Sequence, residues 1–111
     1  MRRFEDRLAI GVPDLYFRSK LTAASGWVEC KLFDREGTAP KHLSLGQVIW
    51  GETEAALPGG RWFLLARAGP AWLLYDAHGA RRLYEGDESS TPLFRVTGRY
   101  PTKEMLQWLT R

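Results

Sequence analysis

Three residues of this 111-residue chain stand at spacings that suit phosphodiester chemistry: Asp14, Glu29 and Lys31. Glu29 and Lys31 are two apart, and residues two apart on an extended strand share a face. Asp14 leads into Leu15-Tyr16-Phe17, a run that a hairpin would lay beside Trp27-Val28-Glu29-Cys30-Lys31-Leu32-Phe33. Pairing the two runs can set Asp14 beside Glu29, which gathers two carboxylates and an ammonium in one patch. Hard Mg²⁺ takes oxygen ligands, usually one or two carboxylates with water and substrate phosphate. The backbone carbonyl of Cys30 is a further oxygen donor, and Mn²⁺ accepts the same donor type. A bound ion lowers the pKa of its water and offsets charge developing on the phosphate. Lys31, a compact point charge, would orient that water or hold the scissile phosphate.

These residues need a sheet to position them. Pro13 lacks an N–H and biases Val12 to extended backbone, so a strand is expected from Asp14. Thr22-Ala23-Ala24-Ser25-Gly26 reads as the turn into the second strand. A polar loop over 34–42 follows. Ser44 with Gln47 three residues on forms a capping-box signature, which predicts a helix from about Leu45 to Leu57, stopped by Pro58-Gly59-Gly60. Strands are expected over 61–67 and 72–76. Ala77-His78-Gly79 reads as a turn, 81–85 as a further short strand and 93–96 as extended chain. Thr102 is expected to cap a last helix over 103–109. The alternation predicts an α/β fold with a mixed sheet, in a single domain over residues 1–111.

The strings Gly11-Val12-Pro13-Asp14-Leu15-Tyr16-Phe17 and Gly26-Trp27-Val28-Glu29-Cys30-Lys31 resemble the signature of the PD-(D/E)XK nucleases. They are most similar to the VRR-NUC and phage Holliday-junction resolvase branch, where a G-x-P-D strand leads into a G-W-x-E-x-K strand. The resemblance covers residues 5–50, is only general over 61–85 and does not extend to 86–111. It implies a restriction-endonuclease-like core, with a central mixed β-sheet flanked by helices. It implies metal-dependent cleavage of branched DNA, as in recombination and repair, by an Mg²⁺-dependent endodeoxyribonuclease of a bacterial or phage-infected cell. Asp14 and Glu29 would be metal ligands and Lys31 the catalytic lysine. Glu5 matches a glutamate that often ends the branch's first helix, and would be an auxiliary ligand or base. Only four residues precede Glu5, too few for a helix of three turns. Gln47 lies where related nucleases often carry a glutamine near the site, although the capping box alone also accounts for it. Cutting a four-way junction symmetrically needs two sites about a two-fold axis, so a homodimer is expected.

Composition sets the bounds. Hydrophobic residues are 44% and charged residues 26%, ordinary globular usage that excludes disordered, collagen-like and coiled-coil chains. No apolar run approaches the roughly 20 residues of a membrane span, so no membrane partner is expected. With no signal peptide and one cysteine, the expected compartment is cytoplasmic. Net charge is +3, with twelve arginines against four lysines, which permits a DNA partner without demonstrating one. Arg81, Arg82, Arg95, Arg99 and Lys103 are candidate phosphate contacts, with solvated surface the commoner explanation for each. Cys30 is expected to be a buried apolar filler pointing away from Glu29. His42 and His78 have no partner spacing and are not expected to act as bases. The rival to a nuclease is a non-catalytic DNA-binding or subunit module that retains the fold.

Overall fold

The computed structural model describes residues 2–3, 15–18 and 25–110. Their alternation of apolar and polar positions builds one mixed sheet. The strands are β1 (Arg2–Arg3), β2 (Leu15–Arg18), β3 (Ser25–Leu32), β4 (Trp62–Ala68), β5 (Ala71–Asp76) and β6 (Phe94–Thr97). Spatial order follows chain order. β3 and β4 are parallel, and every other neighbouring pair is antiparallel. Parallel neighbours need a crossover, and α1 (Leu45–Ala56) supplies it. β2 and β3 form the expected hairpin, with Leu15 opposite Val28 and Tyr16 opposite Trp27. Asp14 and Glu5 lie outside the described residues, as does the chain between them.

The period of two sorts side chains into two cores. On one face, Trp62, Leu64 and Ala66 of β4 join Leu73 and Tyr75 of β5 beneath Val48 of α1. Ala80 and Leu83 of α2 (Ala77–Tyr84) complete this core. On the other face, Val28, Phe63, Leu65 and Leu74 pack with Phe17 against Met105 and Leu109 of α3 (Thr102–Leu109). The result is a three-layer α/β arrangement with helices on both sides of a mixed sheet. Among the described residues no helix is long and apolar enough to cross a membrane.

α1 begins where the capping box requires. Ser44 Oγ accepts from Gln47 N at 3.2 Å, and Gln47 Oε1 accepts from Ser44 N at 3.0 Å. The helix lies close on β4 because Gly51 carries no side chain. A Cβ there would fall 2.5 Å from Trp62 Cδ2.

Three expectations are corrected. Residues 77–85 are not a turn and a strand but α2 and its C-cap, Glu85. Asp76 starts this helix by accepting from Gly79 N at 2.8 Å. Thr102 does not cap α3; it is already helical, Pro101 holds the cap position, and no side chain caps the end. Cys30 is exposed rather than buried, because α3 covers Val28 and Leu65 but leaves this end of β3 open.

Candidate active site on the third strand

Trp27, Glu29, Lys31 and Phe33 alternate along one face of β3 and its exit. Trp27 and Phe33 both pack with the core under α1 and α2, as their spacing predicts. Glu29 sits between them at 1% exposure, and it is the buried charged residue among the described core positions. Burying a carboxylate costs several kcal/mol unless other groups compensate it. Two groups do so here. Lys31 Nζ lies 2.9 Å from Glu29 Oε1, with the lysine side chain 12% exposed. Gln47 Nε2 donates to the same oxygen at 2.9 Å. Ala66, beside Lys31 in the parallel register, presents only a methyl group and leaves space for the lysine stem.

Gln47 therefore has two functions at once. Its Oε1 caps the first turn of α1, while its Nε2 orients the buried carboxylate. The helix start and the carboxylate are thereby tied together. Trp50, three residues further on the helix, meets Trp27 edge-on at a centroid distance of 5.2 Å. Tyr16 of β2 also packs on Trp27, tilted, at 4.9 Å. These rings form an aromatic wall next to the carboxylate. Sequence reasoning missed Tyr16 and Trp50 as parts of this wall. The i,i+3 spacing from Gln47 was the available signal for Trp50.

At the far end of the strand Phe33 meets Tyr75 edge-on at 6.1 Å. Burial pushes the Tyr75 phenol up to about 12, and the Glu36 carboxylate adds to the effect.

The arginines picked out as phosphate contacts are mostly committed elsewhere. Arg81 forms a two-pronged pair with Glu52, Arg95 with Glu36 and Arg99 with Glu104. The arginine hydrogen bond is the leading cause that holds each of these three carboxyls below its ordinary value. His78 stands exposed in the first turn of α2 and also lowers Glu52 slightly. His42 adopts a left-handed backbone, φ 62°.

Among the described residues no three His, Cys, Asp or Glu side chains converge as a metal-binding group. Among the described residues the Glu29 carboxylate is the charged oxygen donor at this site, and the chain carbonyl of Cys30 is next along the strand. They suit a hard divalent cation in kind and are fewer than a full protein-supplied set. Asp14 immediately precedes Leu15, and Glu29 immediately follows Val28, the partner of Leu15. Comparison of the chain with protein-family models, with curated proteins and with solved structures finds no match in any of the three.

Proposed function

We propose that this chain is a metal-dependent endodeoxyribonuclease with a restriction-endonuclease-like core, hydrolysing phosphodiester bonds in Holliday junctions or other branched DNA. The observation that carries this reading is the buried Glu29 with Lys31 two residues along the same strand face, 2.9 Å apart. A fold gains little from a buried ion pair that apolar residues would replace. A reactive centre gains a desolvated carboxylate and a cation aimed at one place.

In this reading Glu29, Asp14 and the Cys30 carbonyl hold a divalent cation, Mg²⁺ or Mn²⁺, with Glu5 as a further candidate ligand. The chemistry the ion supplies when bound is a more acidic water and a counter-charge for the phosphate. Gln47 Nε2 fixes the rotamer of Glu29, so the carboxylate needs little reorganisation. Lys31 Nζ moves from Glu29 Oε1 to a phosphate oxygen and carries its N–H donors to the charge that develops there. The aromatic wall of Tyr16, Trp27 and Trp50 excludes water on one side. Two copies about a two-fold axis would present two such centres for paired cuts.

One observation favours a second reading. Lys31 and Gln47 both engage the same oxygen of Glu29, and among the described residues no three His, Cys, Asp or Glu side chains gather as a metal-binding group. That is also the arrangement of a non-catalytic DNA-binding or subunit module in which the ion pair only orders the core. Electron paramagnetic resonance of Mn²⁺ titrated with protein separates the two. A nuclease centre binds Mn²⁺ in the wild type and loses it in Glu29→Gln. The same free-ion signal with either protein would leave only the module.

A further inference from the structure

The opposite face of the sheet carries a groove that meets the cutting centre at Cys30 and Lys31. Cys30 and Leu32 of β3, Leu65 and Arg67 of β4 and Trp72 of β5 lie on this face, with Leu65 at the border of the α3 packing. An open cavity of about 600 Å³ sits there, and Lys31, Lys41 and His42 complete its lining. Arg67 and Trp72 also line a second cavity, with Arg99 and Tyr100. The two cavities thus share a wall. No carboxylate side chain lines either one among the described residues.

The lining divides by chemistry. Leu32, Leu65 and Trp72 make an apolar floor, and Leu32 is 59% exposed. The Arg67 guanidinium lies 5.1 Å from the centre of the Trp72 ring. Its Nε donates to Gly69 O, and it has no carboxylate partner among the described residues. Arg67 therefore differs from Arg81, Arg95 and Arg99, which are all neutralised by glutamates. Lys41 pairs with Asp34, but both side chains are more than half exposed, and such a pair yields readily to a better anion. Tyr100 packs edge-on against Trp72 at 4.9 Å and closes one end. An apolar floor with Arg67 and the loosely held Lys41 at its rim matches a base joined to a phosphate, and bases of paired DNA are not available to such a floor.

We propose that this groove binds an unpaired DNA strand, with a base against Leu32, Leu65 and Trp72 and its phosphate on Arg67 and Lys41. The choice of DNA as ligand rests on the nuclease reading; the floor of the groove lies on the sheet face away from Glu29. It would give the protein a hold on the single-stranded arm of a branched substrate while the other face cuts.

The test is fluorescence anisotropy in EDTA, where nothing is cut, with a labelled oligothymidylate and a blunt duplex of the same length. The variants are Leu32→Asp and Arg67→Gln, both at exposed positions, each checked by its melting temperature. The wild type should bind the oligothymidylate more tightly than the duplex. Each variant should weaken oligothymidylate binding about tenfold, the scale of one lost stacking or phosphate contact, and leave duplex binding unchanged. Glu29→Gln should bind the oligothymidylate as the wild type does, even where it cuts nothing. Equal affinity for both ligands, or unchanged oligothymidylate binding in both groove variants, would overturn the proposal. So would loss of that binding in Glu29→Gln.

Discussion

Lys31 Nζ and Glu29 Oε1 lie 2.9 Å apart on one face of β3, and the carboxylate is almost wholly withdrawn from water. The two charges depend on each other unequally. Lys31 retains some solvent, whereas Glu29 is almost fully buried and has Lys31 and Gln47 among its partners. Lys31→Met should therefore destabilise the protein by about 3 kcal/mol, because it removes the cation paired with a buried carboxylate. In a Glu29→Gln background the same lysine change should cost well under half of that. A double-mutant cycle by urea unfolding measures the difference. Equal costs in both backgrounds would show that the pair is not coupled.

The two functions of Gln47 can be separated. Ser44→Ala removes only the cap acceptor and should cost about 1 kcal/mol. Gln47→Ala removes the reciprocal cap and a donor to a buried charge, and should cost about 2 kcal/mol or more. Gln47→Glu keeps the cap acceptor but opposes Glu29 with a second carboxylate, so it should be no more stable than Gln47→Ala at neutral pH. Chemical denaturation of the three variants gives the ranking.

Much of this geometry is legible in the sequence, for identifiable reasons. The alternation from Trp27 to Phe33 reads directly as a two-faced strand, and Ser44 with Gln47 marks a helix start. α2 was hidden because Gly79 looks like a turn residue. In fact its small size lets the helix sit on Tyr75, since a Cβ there would lie 3.2 Å from that ring. The exposure of Cys30 depends on where α3 ends over the sheet, which no local pattern encodes. The bond from Gln47 to Glu29 spans eighteen positions and follows from packing α1 on the sheet. Asp14 and Glu5, which the sequence motif joins to this site, lie outside the described residues.

Gly51 offers a test of that packing. Glycine to alanine in an exposed helix normally gains up to about 1 kcal/mol. Here the added Cβ meets the Trp62 ring, which is buried and has no room to move. Gly51→Ala should destabilise by about 1–3 kcal/mol, the usual cost of overpacking. A rise in melting temperature would contradict the close approach of α1 to β4.

The pair of Glu52 with Arg81 predicts a pH dependence. The arginine hydrogen bond holds the Glu52 carboxyl below its ordinary 4.5. A carboxyl depressed in the folded state contributes stability that is complete above its unfolded value and lost as pH falls through its folded value. The melting-temperature gap between wild type and Glu52→Gln should be constant near neutrality and close on the acid side, below about pH 4.5. A gap that widens on acidification would reverse the sign and exclude this origin.

The central claim is that Glu29 serves a metal-dependent cut. The most direct measurement is a gel assay of labelled four-way junction, flap and linear duplex, with wild type and Glu29→Gln, in Mg²⁺ and in EDTA. The account predicts cuts by the wild type in Mg²⁺ alone, strongest on a branched substrate, and none by Glu29→Gln. Undiminished cutting by folded Glu29→Gln, or cutting by the wild type in EDTA, would contradict it.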